Sequence, residues 1–225
     1  MGKYGSSAVW FLVDGYDMIV NKLQGLRCKI IAPTEPTHGL GDSWEEHTPT
    51  GISKAELAQE GAFFFNDASY MHNLQSTAIG GQGPSSSAKV VCLGFATDTT
   101  GQDFVGVAGK FDQSYEVLSK TGNLTRANAE YVVTGQTENG KIIRALAATT
   151  SDTTQYLDGV AQSVAGGASY FQVTAISVGA STGVALSVLE SAATSTAYTV
   201  LGTVTTTGVG AWRVATTDAT VERYL

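Results

Sequence analysis

Apolar and polar residues alternate over short stretches that Gly, Asn, Asp and Pro cut off again and again, and this period of two limits most what the chain can become. Successive side chains of a strand point to opposite faces, so the pattern calls for sheets with one buried side. In the first two thirds the stretches fall at 9–19, 25–32, 56–65, 89–96, 104–108, 111–119, 129–136 and 141–147. Asn139-Gly140 separates the last two, and both residues tolerate the positive φ of a two-residue hairpin turn. One segment breaks the pattern. Asn66 or Asp67 can cap a helix, Tyr70, Met71 and Leu74 recur at helical spacing, and Gly80-Gly81 ends it. The following run through residue 87, GGQGPSSS, reads as a flexible surface loop.

A break in composition falls near Asp158. From there to Leu225 there is no Lys, Pro, Cys, His, Met or Asn, while Thr, Val, Ala, Ser and Gly dominate. The earlier part carries 16 acidic and 11 basic residues and the later part 4 and 2. Two domains are expected, 1–154 and 158–225, joined by the polar run from Ala148 to Thr154. Strands are expected in the second at 169–178, 183–190, 197–204, 211–215 and 220–225. Phe171, Val173 and Ala175 alternate there with Gln172 and Thr174, as in a sheet with one wet face. Short strands parted by Gly, Ser and Thr turns point to a small immunoglobulin-like β-sandwich. The fold class is thus mainly β: a sandwich or barrel domain with one short helix, then a second small sandwich.

The segment from Gly39 to Phe65 joins an acidic, irregular stretch to an apolar strand. Gly39 and Gly41 loosen it, Pro49 and Gly51 punctuate it, and Asp42, Glu45 and Glu46 surround Trp44. A solvated connector has no need of so large an aromatic, which suggests a contact surface. Gly41, Asp42, Trp44, Glu45, Glu46, His47 and Pro49 are therefore the candidate interface residues. His38 and His47 with the same carboxylates lack regular ligand spacing, and a contact loop explains them better than a metal.

Other chemistry has little to stand on. No nucleophile elbow, phosphate loop or dinucleotide fingerprint occurs, and Gly81-Gln-Gly83 runs into Pro84 instead of a helix. His72 falls on the expected helix among apolar neighbours. Asn123-Leu-Thr125 reads as a turn, and Asp98, Asp103 and Asp112 depart from calcium-loop spacing. No enzyme, cofactor or metal is expected. Cys28 and Cys92 lie in apolar runs and read as buried thiols. A net charge of -7 argues against a nucleic-acid binder. The early apolar run from Ala8 to Val13 is far shorter than the roughly 20 residues of a spanning helix, and no secretory leader precedes it. The chain reads as cytosolically made and soluble.

In order along the chain come Asp14-Gly-Tyr-Asp17, the run GDSWEEHTPTG from Gly41 to Gly51, and the apolar-Asn-Asp element from Phe63 to Asp67 before a short helix. Gly109-Lys-Phe111, Leu124-Thr-Arg-Ala-Asn-Ala-Glu-Tyr131 and the closing Val221-Glu-Arg-Tyr-Leu225 follow. In these the chain resembles the major tail tube proteins of long-tailed, siphovirus-like bacteriophages, nearly from end to end. The resemblance implies a structural virion protein made in the host cytoplasm, whose strands join those of neighbours into the inner barrel of stacked rings, hexameric by the same resemblance. It implies a Gly39-to-Ser53 loop crossing to the next subunit or ring and a 158–225 module decorating the outside. Further partners would be the tape measure, tail terminator and distal tail proteins, with genomic DNA passing through the lumen without specific binding. A basic lumen lined by Lys22, Lys89, Lys110 and Lys141 would oppose that. The other class compatible with the sequence is a surface-exposed adhesive or carbohydrate-binding β protein, with Trp212, Tyr198 and Tyr170 as its aromatic platform.

Overall fold

The computed structural model describes residues 8–19, 24–32, 34–36, 47–49, 54–63, 88–147, 167–176, 183–191 and 198–216, and they are mainly strand. In chain order these are β1 (Trp10–Val13), β2 (Tyr16–Asp17), β3 (Gly25–Ile31), β4 (Thr34–Pro36), β5 (His47–Pro49), β6 (Lys54–Phe63) and β7 (Ala88–Gly94). Then come β8 (Asp103–Leu118), β9 (Arg126–Lys141), β10 (Ala168–Val173), β11 (Val184–Glu190), β12 (Thr199–Thr206) and β13 (Gly210–Ala215). Strand neighbours run β2-β1-β7-β8-β9-β6-β3, with β10-β13, β11-β12 and β4-β5 as separate pairs. The helix expected from Asn66 to Gly80, the GGQGPSSS loop and the strand expected at 220–225 lie outside the described residues.

Packing divides the chain into two compact units, one of Met1–Ile19, Val90–Gly106 and Asn139–Leu225, the other of Val20–Lys89 and Val107–Glu138. The first unit takes in strands from both sides of residues 154–158.

The reason is visible at the Asp-Gly opening. The strand expected over 9–19 folds back as a hairpin, with Asp14 at φ 54° and Gly15 at φ 84° between Val13 and Tyr16. Positive φ at both central residues is what a type I′ turn requires, and Asp-Gly supplies it at little strain. Asp14 N donates to Val90 O at 2.9 Å, which ties the turn to β7. Gly15 N donates to Gln172 Oε1 at 2.8 Å, and Gln172 Nε2 reaches Val90 O at 3.4 Å and Cys92 Sγ at 3.3 Å. A Cβ on Gly15 would run into Val173 O and come within 2.7 Å of Gly210 N. Gln172, expected on a wet face, is instead a part-buried clamp between β10, the turn and β7. Burial pushes the Cys92 thiol up to about 12 in spite of the Gln172 hydrogen bond, so this sulfur stays a neutral packing atom.

Aromatic rings laid on glycines hold the same unit together. Tyr170 of β10 covers Gly106, where a Cβ would sit 2.6 Å from the ring, and Phe104 covers Gly140 at the same distance. Phe104 meets Tyr170 edge-on at 5.8 Å between centroids, a favourable geometry for the ring quadrupoles. The Gly140 contact corrects the hairpin expected at Asn139-Gly140. Both residues lie inside the continuous β9, where glycine is needed so that Phe104 can lie flat on the backbone. Stretches 104–108 and 111–119 likewise merge into β8.

In the later part β11 and β12 form a hairpin with a bulge at Val188/Leu189, and β10 pairs with β13. Val214 of β13 lies against Gly202 of β12, so the two pairs face each other as the expected small sandwich requires.

Replacing Gln172 with Ala should therefore lower the stability of the whole chain by about 1–3 kcal/mol, because it strips a partner from part-buried backbone at Gly15. Denaturant midpoints measure it, and an unchanged midpoint would mean that the clamp contributes nothing.

Candidate assembly surface

Of the seven candidate interface residues, Gly41, Asp42, Trp44, Glu45 and Glu46 lie outside the described residues. His47 and Pro49 are in β5, which pairs antiparallel with β4, His47 opposite Pro36 and Pro49 opposite Thr34. Part of the stretch expected to be irregular is thus strand.

The second unit holds the order β8-β9-β6-β3. β3 pairs antiparallel with β6, and β6 with β9. β8 and β9 are sixteen residues each, joined by residues 119–125, a connection too short for a parallel crossover. The sheet is therefore antiparallel throughout and even in strand number.

One of its faces is core. Cys28, Leu57 and Tyr131 stand opposite one another across three strands, as do Ile30, Ala55 and Val133. Leu57, Ala55, Tyr131 and Val133 are almost wholly buried. Gln59 is buried among them and accepts from Tyr131 Oη at 3.2 Å. Leu57 and Tyr131 show the alternation that the sequence advertised, and Gln59 is the one polar member of the row.

The opposite face is polar and nearly self-neutral. Arg27 Nη2 lies 3.8 Å from Glu130 Oε1, spanning Ala58, which stands between them in register. Only a side chain as short as Ala lets the pair close above it. Lys54 Nζ is 2.9 Å from Glu56 Oε1, with Lys29 on the neighbouring strand directly opposite Glu56. Glu60, opposite Gly25, completes a set in which Arg27, Lys29 and Lys54 are matched by Glu56, Glu60 and Glu130. The Lys54 hydrogen bond, joined by attraction to Lys29 and Arg27, holds the Glu56 carboxyl below its ordinary value.

Two features show a sheet shaped to bend and to continue. The β6–β9 register shifts between Gln59 and Ala62, at a bulge where Gly61 takes φ 67°. Gly61 N donates to Asn128 Oδ1 at 2.9 Å and Gly61 O accepts from Arg126 Nη1 at 3.3 Å. Bulges pinned in this way curve a sheet. The sheet's outer strands are also only partly paired among the described residues. β3 is terminal in the order, and the seven residues of β7 can cover fewer than half of the sixteen in β8. Ser114, Glu116, Val117 and Leu118, at the far end of β8, are exposed.

Arg27, Lys29, Glu116 and Glu130 were absent from the sequence-based candidates. Their signal was the strict alternation of basic and apolar residues in Leu26-Arg-Cys-Lys-Ile30, which marks a strand whose wet face is charged. Among the three aromatics of a carbohydrate platform, Tyr170 packs on Gly106 and Trp212 is half-buried, leaving Tyr198 exposed. No group of metal-binding side chains occurs among the described residues.

The chain matches no protein-family profile and no curated protein. Among solved structures it is similar to a chain in the tail of an empty gene transfer agent (GTA) particle with C6 symmetry, at 11% identity and TM-score 0.43, covering 61% of this chain and 98% of that one. It is also similar to a chain in the virion of a native GTA particle, at 12% identity and TM-score 0.46, covering 61% of this chain and 99% of that one.

The depressed Glu56 carboxyl contributes stability that is present above its ordinary value of 4.5 and is lost as pH falls through the lower folded value. Melting temperatures of the chain and of Glu56→Gln should thus differ at neutral pH and converge as pH falls below the ordinary value of 4.5. A gap that stays constant with pH would remove the ion pairs from the account.

Proposed function

We propose that this chain is a ring-forming subunit of a phage-type tail tube, a structural protein whose copies join edge to edge and stack around a conduit for DNA. The observation that carries it is the second unit's sheet. It has an even number of antiparallel strands, a pinned bulge that curves it, a terminal strand β3, and a strand β8 that its neighbour β7 is too short to cover. Edges of that kind are aggregation hazards unless something covers them. Rotation about a common axis keeps strand directions, so β8 of one copy runs antiparallel to β3 of the next, and head-to-tail contacts of this kind close into a ring.

Further support comes from the resemblance to tail tube proteins at Asp14-Gly-Tyr-Asp17 and from Gly41 to Gly51. On the same basis Gly41, Asp42, Trp44, Glu45, Glu46, His47 and Pro49 extend from the β4–β5 hairpin to a neighbouring subunit. Residues 158–225, which belong to the first unit, form an outer module tied to the opening turn through Gln172. Tape measure, terminator and distal tail proteins are the further partners, and the virion tail is the location.

The curved sheet has one face that is already core, so the matched charges of Arg27, Lys29, Lys54, Glu56, Glu60 and Glu130 would line the conduit. Cations held by carboxylates release few counterions on meeting phosphate, and a duplex slides past such a wall instead of adhering. Lys141 is likewise paired with Asp103.

Negative-stain images of the purified chain should show rings or tubes. Deleting residues 41–50 should leave a folded subunit that no longer polymerises, and Trp44→Ala should act in the same direction, since a central interface aromatic contributes about 2 kcal/mol or more. A chain that stays monomeric at high concentration would exclude the tube, and tubes of normal length from the deletion variant would exclude the loop. Empty tubes should not retain duplex DNA at moderate salt, and tight retention would contradict a conduit.

A further inference from the structure

The two outer strands of the second unit's sheet are complementary on both of their faces. On the polar face, β3 presents Arg27 and Lys29, both exposed. Tyr115 of β8 is half-buried, with its phenol pushed up by burial, so it points to the core face. Alternation along the strand then places Ser114 and Glu116 on the face that carries Arg27 and Lys29. Glu116 is exposed and has no ion pair among the described residues. On the core face, β3 leaves Ile30 46% exposed and β8 leaves Val117 44% exposed, although both stand beside rows of buried apolar side chains. One edge is thus basic above and apolar below, and the other is acidic above and apolar below.

We propose that β3 of one copy pairs with the far half of β8 of a second copy, with Arg27 and Lys29 meeting Glu116 on the polar face while Ile30 and Cys28 meet Val117 and Tyr115 on the core face. The proposal rests on the ring-forming function above and gives its junction named residues. Parity fixes much of the geometry. Whether Lys29 or Arg27 stands directly opposite Glu116, the apolar residues of the two strands still meet on the other face, because a side-chain period of two keeps the odd residues of β3 with the even residues of β8 and the even with the odd. A slip of one residue would bring Glu116 against Cys28 or Ile30 and bury a carboxylate in apolar surroundings, so the charges select register as well as partner. Two copies related face to face by a two-fold axis would put β3 beside β3, with Arg27 and Lys29 crowding their own counterparts. The same charges therefore favour the head-to-tail ring over a closed dimer.

Charge exchange tests it. Glu116→Lys alone, and Arg27→Glu with Lys29→Glu, should each raise the concentration needed for assembly at least about fivefold, the scale of an exposed ion pair turned repulsive. The triple variant that exchanges the signs should return to within about twofold of the natural chain. Far-ultraviolet circular dichroism of the unassembled variants should match the parent, since all three positions are exposed. Cys28 gives a readout without substituting β3 or β8: it should react with a thiol reagent in the free subunit and be protected in assembled material. Assembly that ignores the single reversals, a triple variant no better than the worse reversal, or Cys28 equally reactive in both states would each overturn this junction while leaving a tube built from other contacts. A natural chain that forms no rings at all would overturn the function and this junction together.

Discussion

A strand with no neighbour leaves a row of amides and carbonyls that only water or another strand can satisfy, and much of this molecule is organised around where such rows occur. At the opening of the first unit one such row is covered on both sides. β1 is sealed by the two-residue β2 on one side and β7 on the other, and the turn between β1 and β2 is itself covered by Gln172. In the second unit the antiparallel order stops at β3 and at the far half of β8. Those strands carry exposed charges, Arg27 and Lys29 on β3 and Glu116 on β8, beside the half-exposed Ile30 and Val117.

Close backbone approach is the second constraint. Tyr170 over Gly106 and Phe104 over Gly140 place rings where any Cβ would collide, so the aromatics take contact area from the strand itself. In each case a strand glycine, weak on propensity grounds, becomes the seat of a large apolar contact. The first pair binds β10 to β8, which lies far from it in sequence, and the second binds β8 to β9.

What was legible beforehand follows from this. Stretch 25–32 read well because its alternation reflects local exposure, and 89–96 because its continuous apolar run marks a strand buried on both faces. Asn139-Gly140 misled because its turn chemistry was outweighed by Phe104, a partner that no local window contains. Asp14-Gly15 is the converse: it was quoted as a motif but absorbed into a strand over 9–19, although its tolerance of positive φ is what lets β1 turn back. Gln172 was assigned to solvent by alternation alone, and only the position of the turn could have shown that its amide has backbone to serve. The charged pairs on the second unit's sheet were hidden for a related reason. Arg27, Ala58 and Glu130 form one row only after three strands are in register.

The clamp on the opening turn also sets a clock. Gly15 and Gln172 are 157 residues apart in the chain. At synthesis rates of about 5–20 residues per second, β1 and β2 wait roughly 8–30 seconds for the amide that completes their turn. During that interval the Asp-Gly hairpin is a local structure without its cover. The first unit reaches its final packing only once the last third of the polypeptide has emerged, so a ribosome that stops early leaves a chain whose first strands are unfinished.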